Sequence, residues 1–237
     1  RLFEVIPTAQ TNPEVTAFFM HFGDVILGKQ TVLCKDTPAF IANRVGVYAM
    51  AKIFQLTYEL GLGIDSADAL TGPAIGRPKT GTFRLGDLVG MDTALHVING
   101  MKQNCPDDEQ VSKMEVPGFL NFLVENKFYG NKSGQGFYKK TAEKDAKGRP
   151  VVLALNLQTL EYTAPQKEKL AIIDTLKQID ELPRRMKAIF KGEDKGAELL
   201  QKSFLGLFAY VFNRVPEISD PLFAIDDALR AGFAWEV

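Results

Sequence analysis

Cysteine, histidine and tryptophan are scarce in this 237-residue chain, at two, two and one. With only Cys34 and Cys105 there is no disulfide framework, and two free thiols in a reducing compartment is the reading we adopt. His21 and His96 lie far apart, and neither has a second ligand three or four residues away, so metal-site spacing fails. Charge of one sign is also missing. Lys plus Arg number 28 against 29 Asp plus Glu, a formal net charge of -1, which supplies no global field for nucleic acid or an anionic membrane. No apolar run approaches the roughly 20 residues of a membrane-spanning helix, and no stretch reads as a signal peptide. No G-x-G-x-x-G follows a strand and there is no Walker A loop, so the chain carries no Rossmann phosphate cradle of its own.

What is present is ordinary globular material, 46% hydrophobic and 24% charged. The patterning is mainly helical. Leu2 to Ile6 alternates as a strand, with Leu2, Glu4 and Ile6 on one face. Asn12-Pro13-Glu14 opens a helix whose apolar stripe is Phe18, Phe19, Phe22, Val25 and Ile26, closed by Gly28. A short extended piece from Thr31 to Cys34 precedes a long helix expected from Pro38 to Leu60. Asp36 or Thr37 would cap it, and Pro38 would take its first position. Further helices are expected over 64–70, 83–104, 117–126, 165–190, 195–215 and 221–232. Residues 141–150 are charged and nearly free of apolar side chains, which predicts a linker between a domain at 1–140 and a second unit at 151–237. I-D-S-A at 64–67 and I-D-D-A at 225–228 each follow a long apolar helix, a weak internal repeat. The chain begins at Arg1 within a strand pattern and stops straight after a helical one, which reads as a piece of a longer polypeptide.

Three polar side chains draw attention. Glu4 lies between two apolar neighbours on its strand face, where a carboxylate needs a partner or solvent. Asn43 falls in F-I-A-N-R-V-G-V-Y, an apolar helix in which a buried amide would be costly without partners. Lys132 sits in the glycine-rich N-K-S-G-Q-G-F-Y at 131–138. Spacing alone leaves a solvated Glu, a satisfied core amide and a solvated Lys as open readings of the three.

Four motifs occur in one order: L-F-E-V-I-P-T at 2–8, G-K-x-x-V-x-x-K-D-T-P-x-F-I-x-N-R at 28–44, I-D-x-A at 64–67, and N-K-x-x-x-x-K-S-G-x-G-F-Y at 126–138. Together they resemble the C-terminal domain of the L-3-hydroxyacyl-CoA dehydrogenase family of fatty-acid β-oxidation. The resemblance implies a 6-phosphogluconate-dehydrogenase-C-terminal-like helical fold over 1–140. Residues 151–237 resemble the degenerate second copy found in multifunctional β-oxidation proteins. It also implies roles. Glu4 matches the carboxylate that holds the catalytic His, a residue that would precede Arg1. Asn43 matches the substrate contact near the reacting carbon, and Lys132 matches a residue approaching the cofactor, NAD. Where the family commonly has Gly, this chain has Ala39, and its R-P-K-T-G-T-F at 77–83 departs from the family's P-M-G-P-F.

The resemblance implies NAD-dependent oxidation of (S)-3-hydroxyacyl-CoA by the parent protein, in a bacterial or archaeal cytoplasm. The partners would be an acyl-CoA substrate, the Rossmann domain of the parent, and a homodimer mate or an intramolecular pseudo-dimer. This chain alone is expected to be inactive. Two rivals stand beside that reading: a β-hydroxyacid or 6-phosphogluconate-type dehydrogenase domain, and a non-catalytic helical dimerisation module.

Overall fold

The computed structural model describes all residues except 113, 167 and 237. Its first unit is a strand, a helix and a strand. β1 (Leu2–Val5) leads to α1 (Pro13–His21), and β2 (Gln30–Leu33) returns parallel to β1 with Glu4 opposite Val32. Asn12 caps α1 through its side chain, accepting from Glu14 N–H at 2.9 Å, with Pro13 in the first turn. α1 runs on into a π-helical turn over Phe22–Ile26. The apolar stripe of this segment has no cover. α1 buries no residue, and Phe18, Phe19, Val25 and Ile26 are exposed.

The long central helix α2 (Ala42–Glu59) is followed by α3 (Ile64–Leu70) across Gly61, whose φ is +64°. The single helix expected over 83–104 is two, α4 (Phe83–Val89) and α5 (Met91–Asn104). Gly90 between them takes φ +100°, which ends the first helix and redirects the chain. α6 (Gly118–Glu125) completes the first helical layer.

Residues 141–150 are not a linker. β3 (Tyr138–Lys144) and β4 (Pro150–Leu155) pair as an antiparallel hairpin, and β5 (Tyr162–Thr163) adds to β4. The charges that suggested a tether are the solvent side and tip of this hairpin. Asp145 accepts from the N–H groups of Lys147 and Arg149 to close the turn. The expected boundary therefore falls inside a sheet, and 151–155 belongs with the first unit.

Beyond it, the span 165–190 is again two helices, α7 (Ala171–Lys177) and α8 (Leu182–Ile189), with Pro183 in the first turn of the latter. α9 (Lys195–Arg214) is capped by Asp194, which accepts from Ala197 N–H at 2.8 Å and also from Ile172 N–H. α10 (Leu222–Phe233) ends the fold.

The core lies where α2 and α9 pack. One cluster joins β2, the first half of α2, the last half of α9 and α10. A second gathers Phe54, Phe83, Phe119 and Phe137 beneath α4–α6 and the hairpin. A third joins the end of α2 to α3, α7, α8 and the start of α9. The Lys195 ammonium donates to the Leu60 carbonyl and the Tyr48 ring stacks on Tyr210, so the two long helices run antiparallel. The helix after each then packs on the other, α3 on α9 and α10 on α2.

Candidate active site

The site forms where β1 meets the start of α2. The chain leaves β2 at Cys34, turns through Ala39 (φ +64°) and Phe40 (φ +50°), and enters the helix at Ala42. Pro38 is therefore four residues ahead of the helix, and neither Asp36 nor Thr37 caps it. The Thr37 hydroxyl is buried without a partner. The cap comes from another strand. Glu4 Oε1 accepts from Ile41 N–H at 3.2 Å and from Ala42 N–H at 3.0 Å. A carboxylate at a helix N-terminus is favoured by the free amides and by the helix dipole. The Cys34 thiol also lies 3.7 Å from the same oxygen. All three contacts fall on Oε1 and leave Oε2 out, and Glu4 is half-buried.

The turn explains a glycine preference. L-residues reach the left-handed region at a cost of about 1–2 kcal/mol. Ala39→Gly relieves that cost, while the added freedom of the unfolded chain takes back about 0.4–1 kcal/mol. The variant is expected to be more stable by up to about 1 kcal/mol in chemical denaturation. A lower midpoint would show that the Ala39 conformation is not strained.

Asn43 is exposed, not buried. Its neighbour Arg44 is the buried polar residue, at 0% exposure. The apolar pattern pointed to one of the two, and the helix phase turns Arg44 inward. Its guanidinium donates to Asp108 Oδ2 from both Nε (3.1 Å) and Nη2 (2.8 Å), to the Tyr210 hydroxyl (3.0 Å), to Glu217 Oε1 (2.7 Å) and to the Pro38 carbonyl (3.2 Å). Burial disfavours its charge, but Tyr210 and Asp108 outweigh burial and hold it above its ordinary value. Asp108 also accepts from Gln110 and Val111 N–H, bonds that outweigh its burial and keep its carboxyl below the usual range. Arg214 extends the cluster to Glu109 and Glu217. Through Pro38, this network pins the turn that presents Asn43. Sequence reasoning missed it because the partners are 64 to 173 residues away.

Glu4 and Asn43 thus sit together at one helix start. Lys132 does not join them. It lies in a short 3-10 turn over Asn131–Ser133 beside Gly90, ion-paired with Asp92 at 2.5 Å. Its loop is held from below by Asp87, whose carboxylate accepts from Phe137 N–H (2.7 Å) and Tyr138 N–H (2.9 Å). Asp68 accepts from Phe83 and Arg84 N–H and from the Tyr138 hydroxyl. Burial pushes both carboxyls up to about 6 against the bonds that favour their charge. Asp87 abuts Gly130 and Gly136, where no Cβ fits, which accounts for the second glycine of G-x-G-F-Y, while Gly134 takes a φ of +77° with open space around it. His21 and His96 are both exposed. Among the described residues no group of His, Cys, Asp and Glu is placed to hold a metal.

Residues 40–140 match the family model of the 3-hydroxyacyl-CoA dehydrogenase C-terminal domain. That match covers less than half of the chain. The matched stretch contains Asn43, Arg44 and Lys132, while Glu4 and Cys34 precede it. A Bacillus subtilis protein named "Probable 3-hydroxyacyl-CoA dehydrogenase" is 36% identical over 237 residues, all of this chain and 29% of the relative. A Rickettsia felis protein described as a fatty acid oxidation complex trifunctional enzyme is 26% identical over 99% of this chain and 31% of its own length. The chain therefore spans under a third of either relative. The crystal structure of 3-hydroxybutyryl-CoA dehydrogenase from Escherichia coli K12 superposes with a TM-score of 0.64 at 17% identity, over 99% of this chain and 58% of that one. At that identity the likeness concerns the fold.

Proposed function

We propose that this chain is the helical part of an NAD-dependent (S)-3-hydroxyacyl-CoA dehydrogenase of fatty-acid β-oxidation, and that Glu4 and Asn43 are its contribution to the reaction. One observation carries the reading. A half-buried carboxylate is fixed through one oxygen by a helix N-terminus, with its other oxygen outside those contacts and an exposed amide two residues along that helix. Oxidising a 3-hydroxyl to a ketone takes a proton from oxygen and a hydride from C3. The oxygen-bound proton needs a base, and an imidazole serves when a fixed carboxylate orients it and stabilises its charged form. Glu4 Oε2 is placed to accept from such an imidazole, supplied from outside these residues. Asn43 would hold the substrate oxygen beside it.

The described residues do not by themselves fit NAD. No glycine-rich cradle follows β1 or β2, and Lys132 is paired with Asp92. A cofactor phosphate or ribose would compete with Asp92 for that ammonium, and this is the only part we give Lys132. The β1–α1–β2 unit supports a larger partner. A parallel sheet is normally covered on both faces, yet this one has two strands and leaves Phe18, Phe19, Val25 and Ile26 exposed. Further parallel strands of a dinucleotide-binding domain would cover them. The reciprocal packing of α3 on α9 and α10 on α2 supports two tandem copies related as a pseudo-dimer. Two free, buried cysteines suit a reducing cytoplasm, and no described helix is long and apolar enough to cross a membrane.

The test is Asn43→Ala in the full-length dehydrogenase. Turnover of a 3-hydroxyacyl-CoA is expected to fall by about 10²-fold or more in kcat, with an unchanged melting temperature because the side chain is exposed. Wild-type turnover would remove Asn43 from the site and favour a non-catalytic helical module.

A further inference from the structure

We propose that Cys34 is a positioning residue for Glu4: its thiol donates to Oε1 and, with two backbone amides, reserves Oε2 for the incoming imidazole. This rests on the role proposed for Glu4 above. Parallel pairing sets Glu4 opposite Val32 and brings Cys34, two residues further on, against the carboxylate. Cys34 is 2% exposed, and its sulfur lies 3.7 Å from Glu4 Oε1. It also lies 3.8 Å from the Val32 carbonyl of its own strand. One S–H proton faces two acceptors, and an ionised oxygen is the stronger.

The thiol can only donate. Burial, and then the Glu4 charge, push it up to about 12, so it stays protonated at neutral pH. That removes it from nucleophilic or redox chemistry, which needs the thiolate. What remains is geometry. The terminal torsion of a glutamate is broad and nearly two-fold, so a free carboxylate exchanges its oxygens easily. The Ile41 and Ala42 amides approach Oε1 from the helix, and Cys34 approaches it from the strand. Contacts from two separate elements fix the plane of the group, and the second oxygen then points one way. Sites whose outer contacts are lost typically keep their chemistry at about 10- to 100-fold lower rate.

Two measurements test this. In the 237-residue chain carrying Cys105→Ala, one S–H stretching band remains, and Glu4→Gln is expected to shift it to higher frequency in the infrared. A band that does not move would assign the proton to Val32 and overturn the proposal. In the full-length dehydrogenase, Cys34→Val keeps the volume without the donor, and Cys34→Ser keeps a donor. The first is expected to lower kcat about tenfold with KM for the acyl-CoA unchanged, and the second to recover most of the rate. Equal losses in both, or a wild-type rate for Cys34→Val, would overturn it. If Glu4→Gln itself turned over at the wild-type rate while the band shifted, the contact would stand, and the catalytic role of Glu4 would fall with the positioning role.

Discussion

Arg44→Met is expected to destabilise the chain by about 3–5 kcal/mol, because it strands a buried carboxylate. Asp108 and Arg44 are both fully buried, and two of the bonds to Asp108 Oδ2 come from the guanidinium. Without it, Oδ2 keeps the Tyr210 hydroxyl, and Arg214 stands off at 3.5 Å. Glu217 also loses a partner, at smaller cost, since it is partly exposed and keeps Arg214. Small domains have about 5–15 kcal/mol to lose, so the variant should sit near its unfolding threshold at 37 °C. Arg44→Lys is expected to recover little, because an ammonium cannot present the planar fork that meets Asp108, Tyr210 and Glu217 at once. Urea denaturation checks both, and a midpoint within the error of wild type for Arg44→Met would mean that Asp108 finds solvent. A double replacement of Arg44 and Asp108 by apolar residues should regain much of the loss, since it is the unpaired charge that costs most.

Glu4→Gln should leave the fold nearly intact and lower kcat of the full-length dehydrogenase by about 10³- to 10⁴-fold. That is the scale seen when a carboxylate that orients an imidazole becomes an amide. The amide oxygen can still accept from Ile41 and Ala42, so the helix keeps its cap. The NH2 group then takes the place of Oε2 and offers a donor where the imidazole N–H needs an acceptor. The imidazole is left in the wrong tautomer, and its charged form loses its counter-ion. Cofactor reduction followed by absorbance, paired with a melting curve, separates this from unfolding. A loss under about tenfold would mean that Glu4 serves only as a helix cap.

The sequence made local patterns legible and long-range ones not. The strand at Glu4 and the helices after Asn12, Gly63 and Asp194 follow from alternation, cap and turn signals that act within a few residues, whereas Gly130 and Gly136 are required by the distant Asp87. Asn43 stands out in the sequence for a burial that it does not have. The apolar run showed that a polar side chain had to be accommodated, but only the helix start at Ala42, set by Glu4 from another strand, turns Arg44 inward and Asn43 outward. The hairpin at 138–155 was hidden because β3 and the tip are charged, and that composition is shared with a tether. The splits at Gly90 and before Pro183 were visible as residues, yet apolar periodicity continued across them and outweighed them.

The Arg44 cluster also orders events during synthesis. Glu217 lies 173 residues after Arg44, and Tyr210 lies 166 after it. At ribosomal speeds of about 5–20 residues per second, roughly 10–35 s pass between the two ends of this contact. Asp108 is made only 64 residues after Arg44, but through the rest of that interval a nascent α2 lacks Tyr210 and Glu217. The cluster at the first turns of α2 cannot be completed until α9 leaves the exit tunnel, so the end of the molecule that holds Glu4 and Asn43 closes late.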